Sequence, residues 1–238
     1  MVSTRHYSPD IAQPFVLDTD RVAIFDLDGT LVDSVEGMTL AVNRLLRSLR
    51  APPLVCKEAA AFLGHGLEML ARRACRLRGV TPSDEDIQHF VNDYRLDPLT
   101  GTRLYPGVAN TLSALAQEGW RLAVCTNKAE EAALTILGGL DVLGYFDVVC
   151  GGDATGTPKP DPRHIEHTLR LGGLGCLPAV MIGDNAVDVT AAAGYGIPCI
   201  FASWGYGQAP SGFRDAISAQ QFTDLPELLE RLIPLRRD

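Results

Sequence analysis

Short apolar runs alternate with longer stretches of helical periodicity through most of the chain, the pattern of βα units wound around a parallel sheet. Residues 22–25, 122–125, 148–150, 180–182 and 199–202 read as buried strands. Between the first two the pattern changes. Met38, Ala41/Val42, Leu45/Leu46 and Leu49 recur at helical spacing, as do Leu67, Leu70/Ala71 and Ala74, and then Ile87, Phe90/Val91 and Tyr94. This stretch carries no strand signal, and Asp97-Pro98 and Thr100-Gly101 punctuate its end. Tyr105-Pro106-Gly107 then opens a helix running to Gln117, closed by Glu118-Gly119 before the second strand. The expectation is an α/β fold: a parallel-sheet core from residues 1–34 and 104–238, with residues 35–103 inserted as an all-helical accessory domain.

Composition agrees with that size of core. The chain has 238 residues, 46% of them hydrophobic, and a mean hydropathy of +0.07. A net charge of −8 and a pI near 5.1 argue against a surface that coats nucleic acid, which needs clustered cations. Arg72, Arg73, Arg76 and Arg78 form the one basic cluster and read as a solvated helix face. The six cysteines show no CxxC or zinc-finger spacing, so they read as small buried hydrophobes in a reducing compartment. The first twenty residues lack an apolar stretch suited to a signal peptide, and no run reaches the roughly 18 apolar residues of a membrane span. These observations lead us to expect a soluble cytoplasmic protein without a membrane or nucleic-acid partner, monomer or homodimer.

The first strand delivers Asp26-Leu27-Asp28-Gly29-Thr30, two carboxylates two residues apart at the end of a buried run. Like charges this close are costly, and a turn needs only one Asp or Asn with Gly. Chemistry accounts for the pair better: one carboxylate as nucleophile, the other as proton donor, with a divalent cation offsetting their charge, suits phosphoryl transfer. The bland alternative is an Asp-Gly turn. A calcium loop fails, because the sixth and twelfth positions counted from Asp26 hold Leu31 and Gly37.

Later strands also end in polar residues: Thr126-Asn127-Lys128, then Gly151-Gly152-Asp153 leading to Lys159-Pro160, and Gly183-Asp184 with Asp188 one helical turn on. In an open α/β sheet the carboxyl ends of parallel strands share one ligand-binding rim. Thr126 can offer a hydroxyl to a phosphate oxygen, and backbone amides after Asp28 and Thr126, at Gly29 and Asn127, can cradle others. Lys159 can balance nucleophile and substrate, while Asp184 is a hard oxygen ligand of the kind Mg²⁺ prefers. Asp188 can orient Lys159 or reach metal through water. Each signal alone also has a structural reading as turn, surface lysine or helix cap. Residues 151–156 fail as a P-loop, because Thr157 stands where its lysine belongs.

Taken together, the chain resembles the haloacid dehalogenase-like phosphohydrolase superfamily. The stretch from Asp26 to Ser34 is similar to its first motif, Thr126-Asn127 to the second, Lys159-Pro160 to the third, and Gly183-Asp184 with Asp188 to the fourth. The resemblance implies a Rossmann-like core, a helical cap, Mg²⁺ and a phospho-aspartyl intermediate. Phe62-Leu63-Gly64-His65-Gly66 and Ser203-Trp204-Gly205-Tyr206-Gly207 look most like phosphoglycolate phosphatases. Asp26 is then expected to attack phosphorus, Asp28 to serve the leaving alcohol and then water, and Asp26, the Asp28 carbonyl and Asp184 to hold the metal. The resemblance also suggests that Gly64, His65 and Gly66 face a small phosphorylated metabolite; a plain helix connector is the alternative. Trp204 and Tyr206 either edge the site or pack beneath their glycine-rich loop. Asp28 argues against a dehalogenase, and Lys57 is the only cap lysine that could serve a phosphonate hydrolase. A phosphosugar mutase and a non-catalytic binding module on the same fold remain open.

Overall fold

In chain order the strands are β1 (Arg21–Phe25), β2 (Val32–Asp33), β3 (Arg103–Leu104), β4 (Trp120–Cys125), β5 (Val148–Cys150), β6 (Ala179–Gly183), β7 (Cys199–Ala202) and β8 (Ile217–Ala219). Six of them form one all-parallel sheet in the order β5-β4-β1-β6-β7-β8. This computed structural model describes residues 20–64, 66–154, 156–208 and 217–235. The expectations for His65 and for the leader up to residue 19 lie outside the described residues.

The central strands read as unbroken apolar runs because both sheet faces are covered. Ala23, Phe25, Leu122, Val124 and Ile182 turn to one face, against helices α5 (Val108–Gln117), α6 (Glu130–Gly139) and α9 (Leu225–Leu232). Val22, Ile24, Ala123, Cys125 and Met181 turn to the other, against α7 (Arg163–Leu171) and α8 (Ala186–Tyr195). The period of two that separates these sets is that of a pleated strand.

Among the described residues four helices fall between β2 and β3: α1 (Val35–Ser48), α2 (Cys56–Ala60), α3 (Leu67–Leu77) and α4 (Asp84–Leu96). They enclose an apolar cluster of their own, in which Met38, Val42, Leu46, Leu70, Ala74, Ile87 and Phe90 are buried. Ser83 starts α4 with a capping box: its Oγ accepts from the Asp86 amide at 3.1 Å, and the Asp86 carboxylate accepts from the Ser83 amide at 2.9 Å.

The fold departs from the expectations in particular places. The chain leaves the core and returns to it through an antiparallel ladder, Val32 opposite Leu104 and Asp33 opposite Arg103. A two-residue strand has no periodicity to detect, so the sequence showed no strand there. Edge strand β8 and helix α9 were likewise not foreseen. The cysteines are all free, but only four are buried; Cys56 and Cys176 are exposed. Arg72 and Arg78 do lie at the surface of the helical layer, paired with Asp84 and Glu58. Among the described residues no helix is long and apolar enough to cross a membrane.

Candidate active site

Register brings the polar strand ends together. Phe25 of β1 is level with Val124 of β4 and Ile182 of β6, and the Asp26 amide donates to the Ile182 carbonyl at 2.9 Å. Asp26, Thr126 and Asp184 therefore emerge side by side on the carboxyl rim, where the strand order reverses direction on either side of β1.

Lys159 reaches this rim from the segment preceding α7. Its ammonium lies 2.9 Å from Asp26 Oδ1, 2.6 Å from Asp188 Oδ1 and 2.5 Å from the Cys125 carbonyl, which uses all three N–H groups. Burial works against its charge, but Asp188 and Asp26 outweigh burial and hold the lysine cationic, above its ordinary range. Asp188 sits in the first turn of α8, and its second oxygen accepts from the Asn185 amide at 3.0 Å, so it is fixed at both ends.

Asp184 is only 2% exposed. Its Oδ2 accepts from the Tyr206 and Gly207 amides at 2.8 and 3.1 Å, and its Oδ1 from the Thr30 hydroxyl at 3.3 Å. Gly29 (φ +87°) and Gly205 permit this approach: a Cβ at either would fall 2.2–2.4 Å from an Asp184 atom. Burial first, and then Asp26 and Asp188, push the Asp184 carboxyl up to about 8. Asp26, Asp184 and Asp188 each offer an oxygen within 4.8 Å of the others, against the single charge of Lys159. Such an all-oxygen, over-negative cluster suits a hard divalent cation, which would relieve the repulsion that the Asp184 shift records.

Asp28 stands apart from this trio. Its carboxylate accepts from Lys128 Nζ at 3.0 and 2.9 Å and from the Ser34 hydroxyl at 2.6 Å. Lys128 also donates to the Tyr94 hydroxyl, on α4, at 2.9 Å. Although burial opposes the Lys128 charge, Asp28 and then Tyr94 hold it above the usual lysine range. Between rim and helices lies a cavity of about 420 Å³, lined by Asp26, Asp28 and Thr126 on one side and by Gly64, Leu67 and Arg95 on the other.

The remaining expected residues fall close to this cavity, with two changes of role. The Gly29 amide donates to the Val32 carbonyl at 2.9 Å and the Thr30 amide to Leu27 at 3.2 Å, so the amides after Asp28 serve the turn rather than a ligand. Asn127 bridges two segments: its Nδ2 donates to the Gly64 carbonyl at 3.1 Å and to the Lys159 carbonyl at 2.9 Å. Thr126 is buried and lines the cavity, with its hydroxyl oxygen accepting from the Lys128 amide at 3.2 Å. Gly64 and Gly66 both take positive φ, and both line the cavity. Trp204 packs, donating to the Thr30 carbonyl at 3.0 Å above Tyr105 and Phe222. Tyr206 instead ties the loop to the base of α1: its hydroxyl donates to Asp33 at 2.8 Å and accepts from the Ser34 amide at 2.7 Å.

Sequence reasoning assigned no role to Lys128, Ser34, Tyr94 or His164, whose Nδ1 accepts from the Lys159 amide at 3.3 Å. Two of them carried a signal, Lys128 as the third polar residue after β4 and Ser34 as the last residue of the first motif.

Comparison with known proteins agrees with this geometry. A curated phosphoglycolate phosphatase from Rhodospirillum rubrum is 36% identical over 216 residues, covering 87% of this chain and 89% of its own. One from Agrobacterium fabrum is 34% identical over 218 residues, covering 89% and 94%. The crystal structure of a predicted phosphoglycolate phosphatase from Haemophilus somnus superposes with a TM-score of 0.78 at 26% identity, covering 90% of this chain and all of that one. With the haloacid dehalogenase-like hydrolase profile matching residues 23–202, the chain belongs to that family.

Proposed function

We propose that this protein is a phosphatase that hydrolyses a small phosphomonoester through a phosphorylated Asp26, with 2-phosphoglycolate as the first candidate substrate. The observation that carries this reading is the convergence of Asp26, Lys159, Asp184 and Asp188 on one rim, with a second carboxylate, Asp28, facing the same cavity. The curated relatives named phosphoglycolate phosphatase supply the candidate.

In the first half of the reaction an Asp26 oxygen attacks phosphorus, the bond from phosphorus to the alcohol oxygen breaks, and Asp28 gives its proton to that oxygen. In the second, water attacks the same phosphorus, Asp28 takes the water proton, and phosphate leaves a regenerated Asp26. Lys159 neutralises part of the charge that would keep an anionic ester from Asp26, and Thr126 can donate its hydroxyl to a phosphoryl oxygen. Asp26, Asp184 and the Asp28 carbonyl would hold Mg²⁺, which when bound adds Lewis-acid stabilisation of the transferring group. Asp188 acts through Lys159.

Residues 35–103 are read as a cap that covers the cavity and chooses the leaving group. Arg95, contributed by α4, lines the cavity without an ion-pair partner among the described residues, and a carboxylate on the leaving alcohol would meet it. Gly64 and Gly66 line the same side of the cavity, beside Glu68. A phosphorylated metabolite of this kind belongs to the cytoplasm.

The test is a phosphate-release screen of phosphorylated acids, sugars and nucleotides with and without Mg²⁺. Magnesium-dependent release, best with 2-phosphoglycolate, is expected. Phosphate release from none of them would refute the phosphatase reading, and phosphate transfer to a second sugar hydroxyl would replace it by a mutase.

A further inference from the structure

We infer that Lys128 is a positioning residue for Asp28, and that Tyr94, on an inserted helix, supplies the third point that fixes it. The inference rests on the proposed function, because it takes Asp28 to serve the leaving oxygen.

Three features of the geometry carry it. First, the Lys128 ammonium is saturated: its contacts to both Asp28 oxygens and to the Tyr94 hydroxyl, at 2.9–3.0 Å, account for three N–H donors. It has none left for substrate, so it acts through Asp28. Second, Asp28 is gripped from separate elements, by Lys128 after β4 and by the Ser34 hydroxyl ahead of α1. These hold its carboxylate on the cavity wall and outside the Asp26, Asp184 and Asp188 trio. Third, Tyr94 buries its ring in the apolar cluster of the helical layer and turns its hydroxyl to a core lysine. If the tyrosine served only to pack, phenylalanine would do.

A buried lysine costs desolvation, and packing α4 against the core requires no charge. A lysine held at three points, two on Asp28 and one on Tyr94, explains it by fixing the proton carrier. The aim of Asp28 then depends on α4 being seated, since Tyr94 completes the lysine's contacts only there.

A proton is needed most by a poor leaving group. An alkoxide from an alkyl phosphate requires it, whereas p-nitrophenolate leaves largely unaided, so misaiming Asp28 must harm alkyl esters selectively. Single-turnover release of the alcohol, which isolates the first half-reaction, is to be compared for 2-phosphoglycolate and p-nitrophenyl phosphate with Mg²⁺. Lys128→Met is expected to lose about 10²-fold on the alkyl ester and under about fivefold on the aryl ester, with little change in KM. Tyr94→Phe should shift the ratio the same way by about fivefold. In the Asp28→Asn background, Lys128→Met should add almost nothing on the alkyl ester, because the two act as one unit. Equal losses on both esters, or additive losses in the double variant, would overturn the inference. Should Lys128→Met fail to fold by circular dichroism, Tyr94→Phe decides, and an unchanged ratio overturns it. A wild-type enzyme that releases phosphate from no member of the substrate panel defeats the proposed function itself, and this inference with it; if another alkyl phosphate is cleaved best it replaces 2-phosphoglycolate in the comparison, and a wild-type enzyme that cleaves both esters while the ratio stays fixed in the variants defeats only the inference.

Discussion

The Lys159 ammonium lies 2.6 Å from the Asp188 carboxylate, and neither side chain exceeds 1% exposure. Removing one member of so buried a pair leaves the other uncompensated. Lys159→Met would leave Asp26, Asp184 and Asp188 crowded together, so unfolding in urea without divalent cation should show a loss of about 3 kcal/mol. Turnover should fall by about 10³-fold. Asp188→Asn, which keeps an oxygen toward Lys159, should cost less stability; a variant pair with the opposite order would contradict the assignment of Lys159 as the balancing charge.

Magnesium should stabilise the fold as well as support turnover. Three carboxylates repel across less than 5 Å, so a cation at 100 times its dissociation constant should raise unfolding free energy by about 2.7 kcal/mol. Asp184→Asn should remove most of that response. Thermal unfolding with Mg²⁺ and with chelator measures both, and an Asp184→Asn protein that still responds fully would place the cation elsewhere.

At the base of α1 the Tyr206 hydroxyl accepts from the Ser34 and Val35 amides at 2.7 and 3.1 Å. Tyr206→Phe strands the Ser34 amide, leaves the Val35 amide only its 3.4 Å contact to Asp33, and should cost about 1–2 kcal/mol. Denaturant titration at fixed Mg²⁺ checks this; an unchanged midpoint would mean that the contact contributes nothing.

Acidification should weaken the protein partly through His164. Burial, and then the charge of Lys159, push this imidazole down to about 4, so the folded state resists a proton that the unfolded chain accepts near its ordinary value. The neutral form's contribution is whole above pH 6.5 and is lost as pH falls toward 4, by roughly 3 kcal/mol. His164→Asn should therefore show a shallower stability loss between pH 7.5 and 4.5. Parallel curves for the two proteins would sink this account.

Much of the site could be read before the structure because its parts obey local rules. Asp26, Thr126 and Asp184 each follow a buried apolar run, and parallel register then forces neighbouring strand ends together. Lys159 was legible as the cation of Lys159-Pro160, placed after the third strand. The contacts of Lys128, Tyr94, Ser34 and Tyr206 were not, since they join residues 6 to 173 positions apart and no spacing encodes them. Tyr94 was misleading in a specific way: its helical period places the ring in an apolar cluster, and periodicity says nothing of a hydroxyl at the tip. The Gly29 amide failed as a phosphate donor because the turn that positions Asp28 consumes it. The β2–β3 ladder escaped notice because two residues cannot display a period.

The central claim is that Asp26 carries the phosphoryl group. Enzyme mixed with 2-phosphoglycolate and Mg²⁺, quenched in acid within one turnover and reduced with borohydride, should yield a peptide in which residue 26 alone has become homoserine, the product of a reduced acyl phosphate. Phosphate release with no homoserine at position 26, or with homoserine at position 28 instead, would contradict it.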